Sequence, residues 1–190
     1  SAADIRGIDA FIFTTNDDVT FILNGVDTGF FKGVVATNGG NDSIVINSTL
    51  GVTVSSGDGN DSVTTGSGND SVSAGSGNDS IVTGAGNDSV STGSGTDSVS
   101  TGDGNDIVLV GSGSGGGLLN GDAGNSDSLD LRLVTIDNVD VAINGEITIT
   151  FDGGSVITAS NFEQFIYDSN GTTTAGGIET VGVNDFDAAF

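Results

Sequence analysis

Residues 57–110 read GDGNDSVTT GSGNDSVSA GSGNDSIVT GAGNDSVST GSGTDSVST GDGNDIVLV, six nonapeptides without a gap. Asp61, Asp70, Asp79, Asp88, Asp97 and Asp106 hold one phase of this repeat, and Val63, Val72, Ile81, Val90, Val99 and Val108 another. A Gly/Ser linker requires composition only. Keeping an acid and a branched apolar residue in phase through 54 residues requires a stacked structure. In each copy GxGND supplies a turn that glycine's backbone freedom permits, and the following SVS or SIV supplies three extended residues with the middle side chain inward. Two copies make one coil, coils stack at about 4.8 Å, and aspartates two copies apart align in a ladder along each edge.

Outlying copies extend the pattern. Asn38 to Ile46, NGGNDSIVI, keeps Asp42 in phase, and Gly121 to Leu129, GDAGNSDSL, carries an inserted residue before Asp127. Two turns have decayed: the phase of the preceding copies puts Gly51 and Gly115 at the aspartate position. On either side, FIFTTNDDVTFILNGVDTGFFKGVVAT from Phe11 and VDVAINGEITITFDGGSVITASNFEQFIY from Val139 alternate apolar and polar residues, the pattern of strands. The second contains a hairpin signal at Asn144 and Gly145. These flanks hold Phe11, Phe13, Phe21, Phe30, Phe31, Phe151, Phe162, Phe165 and Tyr167, whereas the repeats lack aromatics. The organisation expected is an N-terminal β cap at 1–37, the repeat stack at 38–131, a C-terminal β cap at 132–172 and a tail at 173–190.

Composition narrows the chemistry. The 190 residues contain no His or Cys, which removes imidazole bases, thiol nucleophiles, zinc fingers and iron–sulfur sites. Carboxylates, hydroxyls and carbonyls remain, hard donors suited to calcium or magnesium. With 26 acidic against 3 basic residues the net charge is -23, and the isolated Arg6, Lys32 and Arg132 form no nucleic-acid footprint. An anionic membrane repels such a chain, no stretch is apolar enough to span one, and the first 30 residues lack a secretory signal peptide. Beginning at Ser1, the chain is expected to be a processed product or a fragment.

Without metal, six small side chains cannot offset the ordering of these coils, and carboxylates about 5 Å apart repel by roughly 3 kcal/mol at an effective dielectric near 20. Calcium reverses both terms, because its large oxygen shell bridges carboxylates of successive coils together with turn carbonyls. Magnesium, with its small rigid octahedron and tightly held waters, fits less well.

The six copies resemble the glycine- and aspartate-rich nonapeptides of the RTX (repeats-in-toxin) family, closely over 57–110 and loosely over 38–131. One departure is systematic: the first Gly of the family pattern is Ser56, Thr65, Ala74, Thr83, Thr92 or Thr101 here. The resemblance implies an all-β parallel β-roll, a β-solenoid, with β-strand caps at both ends. It also implies calcium shared between turns two copies apart. Carried over, Asp61 pairs with Asp79 and Asp79 with Asp97 on one edge, and Asp70 with Asp88 and Asp88 with Asp106 on the other. These are four calcium sites, with carbonyls from Gly57, Gly59, Gly66, Gly68, Gly75, Gly77, Gly84 and Gly86. Asp42 with Asp61 and Asp106 with Asp127 are two further, irregular end sites. Family members are typically exported unfolded by type I secretion machinery that reads a C-terminal signal, and fold on external calcium. The tail DFDAAF, Asp185 to Phe190, resembles such a signal.

Every repeat aspartate thus has a role as ligand, and Asp17, Asp18, Glu146 and Glu163 show no recognisable catalytic constellation, so the chain is not expected to be an enzyme. An ice-binding ladder is disfavoured by the mixed residues Asp58, Ser76 and Ser94 on one edge and Ser67, Ala85 and Asp103 on the other. The reading favoured is a secreted structural or self-assembling component of the cell exterior, such as a surface layer, filament or matrix. Its partners are then calcium, copies of itself or other cell-surface proteins. β segments on both sides of the repeats favour it over the alternative, a calcium-dependent folding and secretion module of a larger secreted enzyme, toxin or adhesin.

Overall fold

The computed structural model describes residues 9–23, 33–124, 126–141, 146–151, 154–168 and 178–182. Among these residues there are eighteen strands and no helix. The first seven are β1 (Ala10–Ile12), β2 (Thr20–Leu23), β3 (Val34–Ala36), β4 (Ser43–Ile46), β5 (Thr53–Asp58), β6 (Ser62–Thr64) and β7 (Ser71–Ser76). Next come β8 (Ser80–Ala85), β9 (Ser89–Ser91), β10 (Gly95–Asp103), β11 (Ile107–Leu109), β12 (Ser114–Asn120) and β13 (Ser128–Asp130). The C-terminal part adds β14 (Ile136–Val141), β15 (Ile147–Phe151), β16 (Val156–Ser160), β17 (Gln164–Asp168) and β18 (Ile178–Gly182).

Successive strands fall alternately in two sheets. One runs β1-β3-β5-β7-β9-β11-β13-β17-β18 and the other β14-β15-β16-β12-β10-β8-β6-β4-β2. Each coil crosses from one sheet to the other at a GxGND turn, so equivalent strands run parallel. Val54, Val72, Val90 and Val108 stack in one sheet, and Val63, Ile81 and Val99 in the other. These inward residues are all buried, and the Ser and Thr beside them are exposed or half-buried. The chain is an all-β parallel solenoid, as the period predicts.

The Ser/Thr position before each first glycine forms a second buried column. Ser56 Oγ donates to Ala74 O at 2.8 Å, Thr65 Oγ1 to Thr83 O at 2.8 Å and Thr83 Oγ1 to Thr101 O at 2.9 Å. Each hydroxyl is thereby satisfied by the coil after it, which explains how this chain carries Ser or Thr where the family pattern has glycine. Larger side chains close the ends. Phe11 and Phe21 lie 4.8 Å apart between ring centroids at the first coil, and Phe162 and Phe165 lie 6.4 Å apart at the last. An end layer has neighbours on one side only, and an aromatic ring covers it with the most apolar area per residue.

In the N-terminal flank, β1 pairs parallel with β3 and β2 with β4, so this segment forms a further coil. In the C-terminal flank, β16 and β17 continue the parallel stack on β12 and β13, while β14, β15 and β18 add antiparallel edges. Asn144 and Gly145 lie outside the described residues; the antiparallel pair of Val141 with Ile147 brackets them. Both decayed aspartate positions need correction. Thr53 pairs with Ser71, and Val52 donates to Asp70, so Val52 rather than Gly51 stands at the acid position. Asp97 pairs with Gly117 rather than Gly115, because the register shifts at the Gly95/Thr96 bulge.

Candidate metal centre

The turns stack as closely as the strands. Gly75 and Gly77 have φ of +108° and +127°, and a Cβ at either would lie 2.0 and 1.9 Å from the carbonyl oxygens of Gly57 and Gly59. The same contact bars a side chain at all eight glycines singled out by the repeat, Gly57, Gly59, Gly66, Gly68, Gly75, Gly77, Gly84 and Gly86, where a Cβ would meet main-chain atoms of the preceding coil at 1.9–2.5 Å. The Asn of GxGND holds the turns in register. Asn78 N–H donates to Asn60 Oδ1 at 2.7 Å, Asn87 N–H to Asn69 Oδ1 at 3.0 Å and Asn105 N–H to Asn87 Oδ1 at 2.9 Å. This positioning ladder escaped the sequence reading, although its signal, Asn in fixed phase before the acid, was present.

The aspartates form two further ladders running the opposite way. Asp42 N–H donates to Asp61 Oδ1 at 2.8 Å, Asp61 N–H to Asp79 Oδ1 at 2.9 Å and Asp79 N–H to Asp97 Oδ1 at 3.0 Å. On the other edge Asp70 N–H donates to Asp88 Oδ1 at 2.8 Å, Asp88 N–H to Asp106 Oδ1 at 2.7 Å and Asp106 N–H to Asp127 Oδ1 at 2.8 Å. The structure therefore brings together each Asp pair carried over from the family, and the irregularly spaced end pairs make the same contact as the regular ones. Glu163 follows Asp127 on the second edge, an acid that the repeat period could not find.

One oxygen of each carboxylate is fixed and the other is stranded. Oδ2 of Asp42, Asp61, Asp70, Asp79, Asp88, Asp97, Asp106 and Asp127 is buried and has no hydrogen-bond partner. A stranded buried polar atom costs roughly 1–3 kcal/mol, more when charged. Burial pushes Asp79 and Asp88 up to about 6, and the charges of their ladder neighbours add to it, while the amide from the preceding coil opposes it. Burial likewise raises Asp61, Asp70 and Asp97, and the amides of Asp42, Val52 and Asp79 in the preceding coils temper the rise. Asp127 is pushed up to about 6 by burial first, then by Asp106, Glu163 and Asp122.

Stranded, desolvated, mutually repelling carboxylate oxygens facing glycine turns fit a hard divalent cation. Among the described residues no three acids converge on one point. The ladders present them in pairs, so turn carbonyls must supply much of a shell of roughly six to eight oxygens. Among the described residues outside the strand ladders, no main-chain donor reaches the carbonyls of Gly59, Gly68, Gly77 and Gly86, whereas those of Gly66 and Gly75 accept Ala85 N–H and Ser94 N–H. The former have both lone pairs for a cation and the latter one. Asp130 is not part of the ladders; it pairs with Arg132.

Residues 55–90, 73–108 and 82–116 match the family model of the RTX calcium-binding nonapeptide repeat (four copies). No curated protein matches the chain.

Proposed function

From the premise that residues 55–116 are RTX calcium-binding nonapeptide repeats wound into a β-roll, we propose that this is a secreted protein that folds on external calcium and serves as a structural or self-assembling component of the cell exterior. The observation that carries the calcium gate is the set of eight stranded Oδ2 atoms. Bound calcium supplies the positive charge and coordination that these oxygens lack. The chain's own part is to hold each acid by its Oδ1, exclude water from Oδ2 and stack bare glycine turns around the pair. Since Asp42–Asp61 and Asp106–Asp127 repeat the contact of the four regular pairs, we assign six sites to the aspartate ladders.

The structural role is supported by what lies outside the ladders. The outward residues of the central strands are mostly hydroxyls, Ser71, Ser73, Ser80, Ser89 and Ser98 among them, interrupted by the exposed Val82, Ile107 and Leu118. A groove of about 320 Å³ beside β10, β12 and β16 is lined by Ser98, Ser100, Leu118, Asn120 and Glu146. Export by type I machinery accords with a chain that stays unfolded until calcium is met. Asp185 to Phe190, the segment resembling an export signal, lies outside the described residues.

Analytical ultracentrifugation through a calcium titration, with negative-stain images of the end point, tests this reading. Ordered sheets or filaments that dissolve in chelator are the expected result. A compact calcium-bound monomer at every concentration would overturn the assembly role and favour a folding module of a larger secreted protein.

A further inference from the structure

The second acid ladder does not stop where the nonapeptides stop. Ile107 pairs with Ser128 and Ser128 with Gln164, which puts Asp106, Asp127 and Glu163, each one residue earlier, at equivalent positions on successive coils. The contact is conserved with the register: Asp106 N–H donates to Asp127 Oδ1 at 2.8 Å, and Asp127 N–H donates to Glu163 Oε2 at 2.8 Å. Glu163 and Gln164 both donate their N–H groups to Asp127 O, so the last coil is anchored at this residue. Asp127 is 0 % exposed, and its Oδ2 is buried without a partner. A Cβ on Gly124 would lie 2.3 and 2.4 Å from its two carboxylate oxygens, so the turn around them is bare backbone. The charges acting on Asp127 are those of Asp106, Glu163 and Asp122, all negative.

From this geometry we infer that Asp127 and Glu163 form a further cation site, one step beyond the Asp106–Asp127 pair and with Glu163 outside the nonapeptide repeats, which takes a hard divalent cation such as calcium and fastens the coil of β16 and β17 to the roll. The site rests on the calcium reading of the ladders. Its second carboxylate comes from SNFE, Ser160 to Glu163, a turn without the glycines of GxGND. The longer glutamate side chain reaches the position that aspartate fills in the repeats. Docking of the C-terminal coil thereby becomes calcium-dependent in its own right, and with it the stability of the core layer of Phe162, Phe165 and Tyr167.

Glu163→Gln tests the site, because the amide keeps an oxygen to accept Asp127 N–H while a neutral NH₂ replaces the second oxygen and the charge is lost. The full chain, wild type and variant, is titrated with calcium under native mass spectrometry, and hydrogen exchange is followed at calcium about tenfold above the dissociation constant. The variant is expected to bind one cation fewer. Exchange over residues 156–168 should quicken by about tenfold, the linkage expected from losing a ligand at that concentration, while 71–109 stays protected. Unchanged stoichiometry and protection at 156–168, with calcium still bound by both proteins, would overturn the end site and leave the repeat sites standing. A wild type that bound no calcium would overturn both.

Discussion

Replacing Asp79 by Asn should act in opposite directions with and without calcium. Asp79 sits in two pairs, with Asp61 and with Asp97, and accepts Asp61 N–H through Oδ1 at 2.9 Å, which an amide oxygen can still do. In the metal-free fold its carboxyl is raised from 3.8 to about 6, first by burial. At pH 7 the ionised group therefore costs that fold up to about 3 kcal/mol, less whatever solvent screening removes. The Asn amide removes this cost and adds roughly 1–3 kcal/mol for a buried NH₂ without an acceptor. At the unscreened limit the net without calcium lies between zero and a gain of about 2 kcal/mol, and screening lowers both bounds. With calcium, two sites lose a charged ligand; a tenfold weaker affinity at each is about 1.4 kcal/mol, so the loss is at least about 3 kcal/mol. Circular dichroism reads both limbs. In chelator, where trimethylamine oxide drives folding by exclusion from the surface, the variant should fold at an equal or lower concentration of the osmolyte. In calcium its folding midpoint should rise. Equal destabilisation in both would refute the view that Oδ2 is stranded until a cation arrives.

Other consequences follow from the same ladders. Metal-free stability should peak in acid: Asp79, Asp88 and Asp127 have folded values near 6 against 3.8, so their contribution is full below about 3.8 and is lost as pH rises through about 6. Circular dichroism in chelator at pH 4 and pH 7.5 should therefore show more structure at the lower pH, whereas in calcium, acid should compete with the metal and raise its midpoint. Thr83→Val keeps the shape of the buried column but removes the bond to Thr101 O at 2.9 Å; urea denaturation in calcium should show a loss of about 1 kcal/mol with unchanged calcium stoichiometry. Gly77→Ala puts a Cβ 1.9 Å from Gly59 O at a φ of +127°, and should cost at least about 2–3 kcal/mol by the same assay.

Much of this architecture is legible because a solenoid makes contacts at a constant sequence offset. Asp61, Asp79 and Asp97 touch in the order in which they are written, as do Val72, Val90 and Val108, so phase in the sequence is position in space. The Asn ladder obeys the same offset, Asn60 with Asn78 on one edge and Asn69, Asn87 and Asn105 on the other, each standing one residue before an acid. Where residues have been inserted or lost, phase fails. Val52 takes the place expected of Gly51, and Gly117 that of Gly115, because main-chain pairing along the whole coil decides register and absorbs the extra residues in loops and a bulge.

The sequence by itself determined the period, the inward valines, the acid edges and the hard-oxygen chemistry, since each depends only on neighbours at a fixed offset. The tertiary structure alone decided that one carboxylate oxygen of each aspartate is held and the other stranded, because that follows from the direction of the amide in the preceding coil and from burial by it. It also decided that Glu163 closes the second ladder. Thirty-six residues separate Glu163 from Asp127. Their meeting depends on β16 and β17 resuming the stack after β14 and β15 have left it, a matter of sheet pairing that no local period encodes.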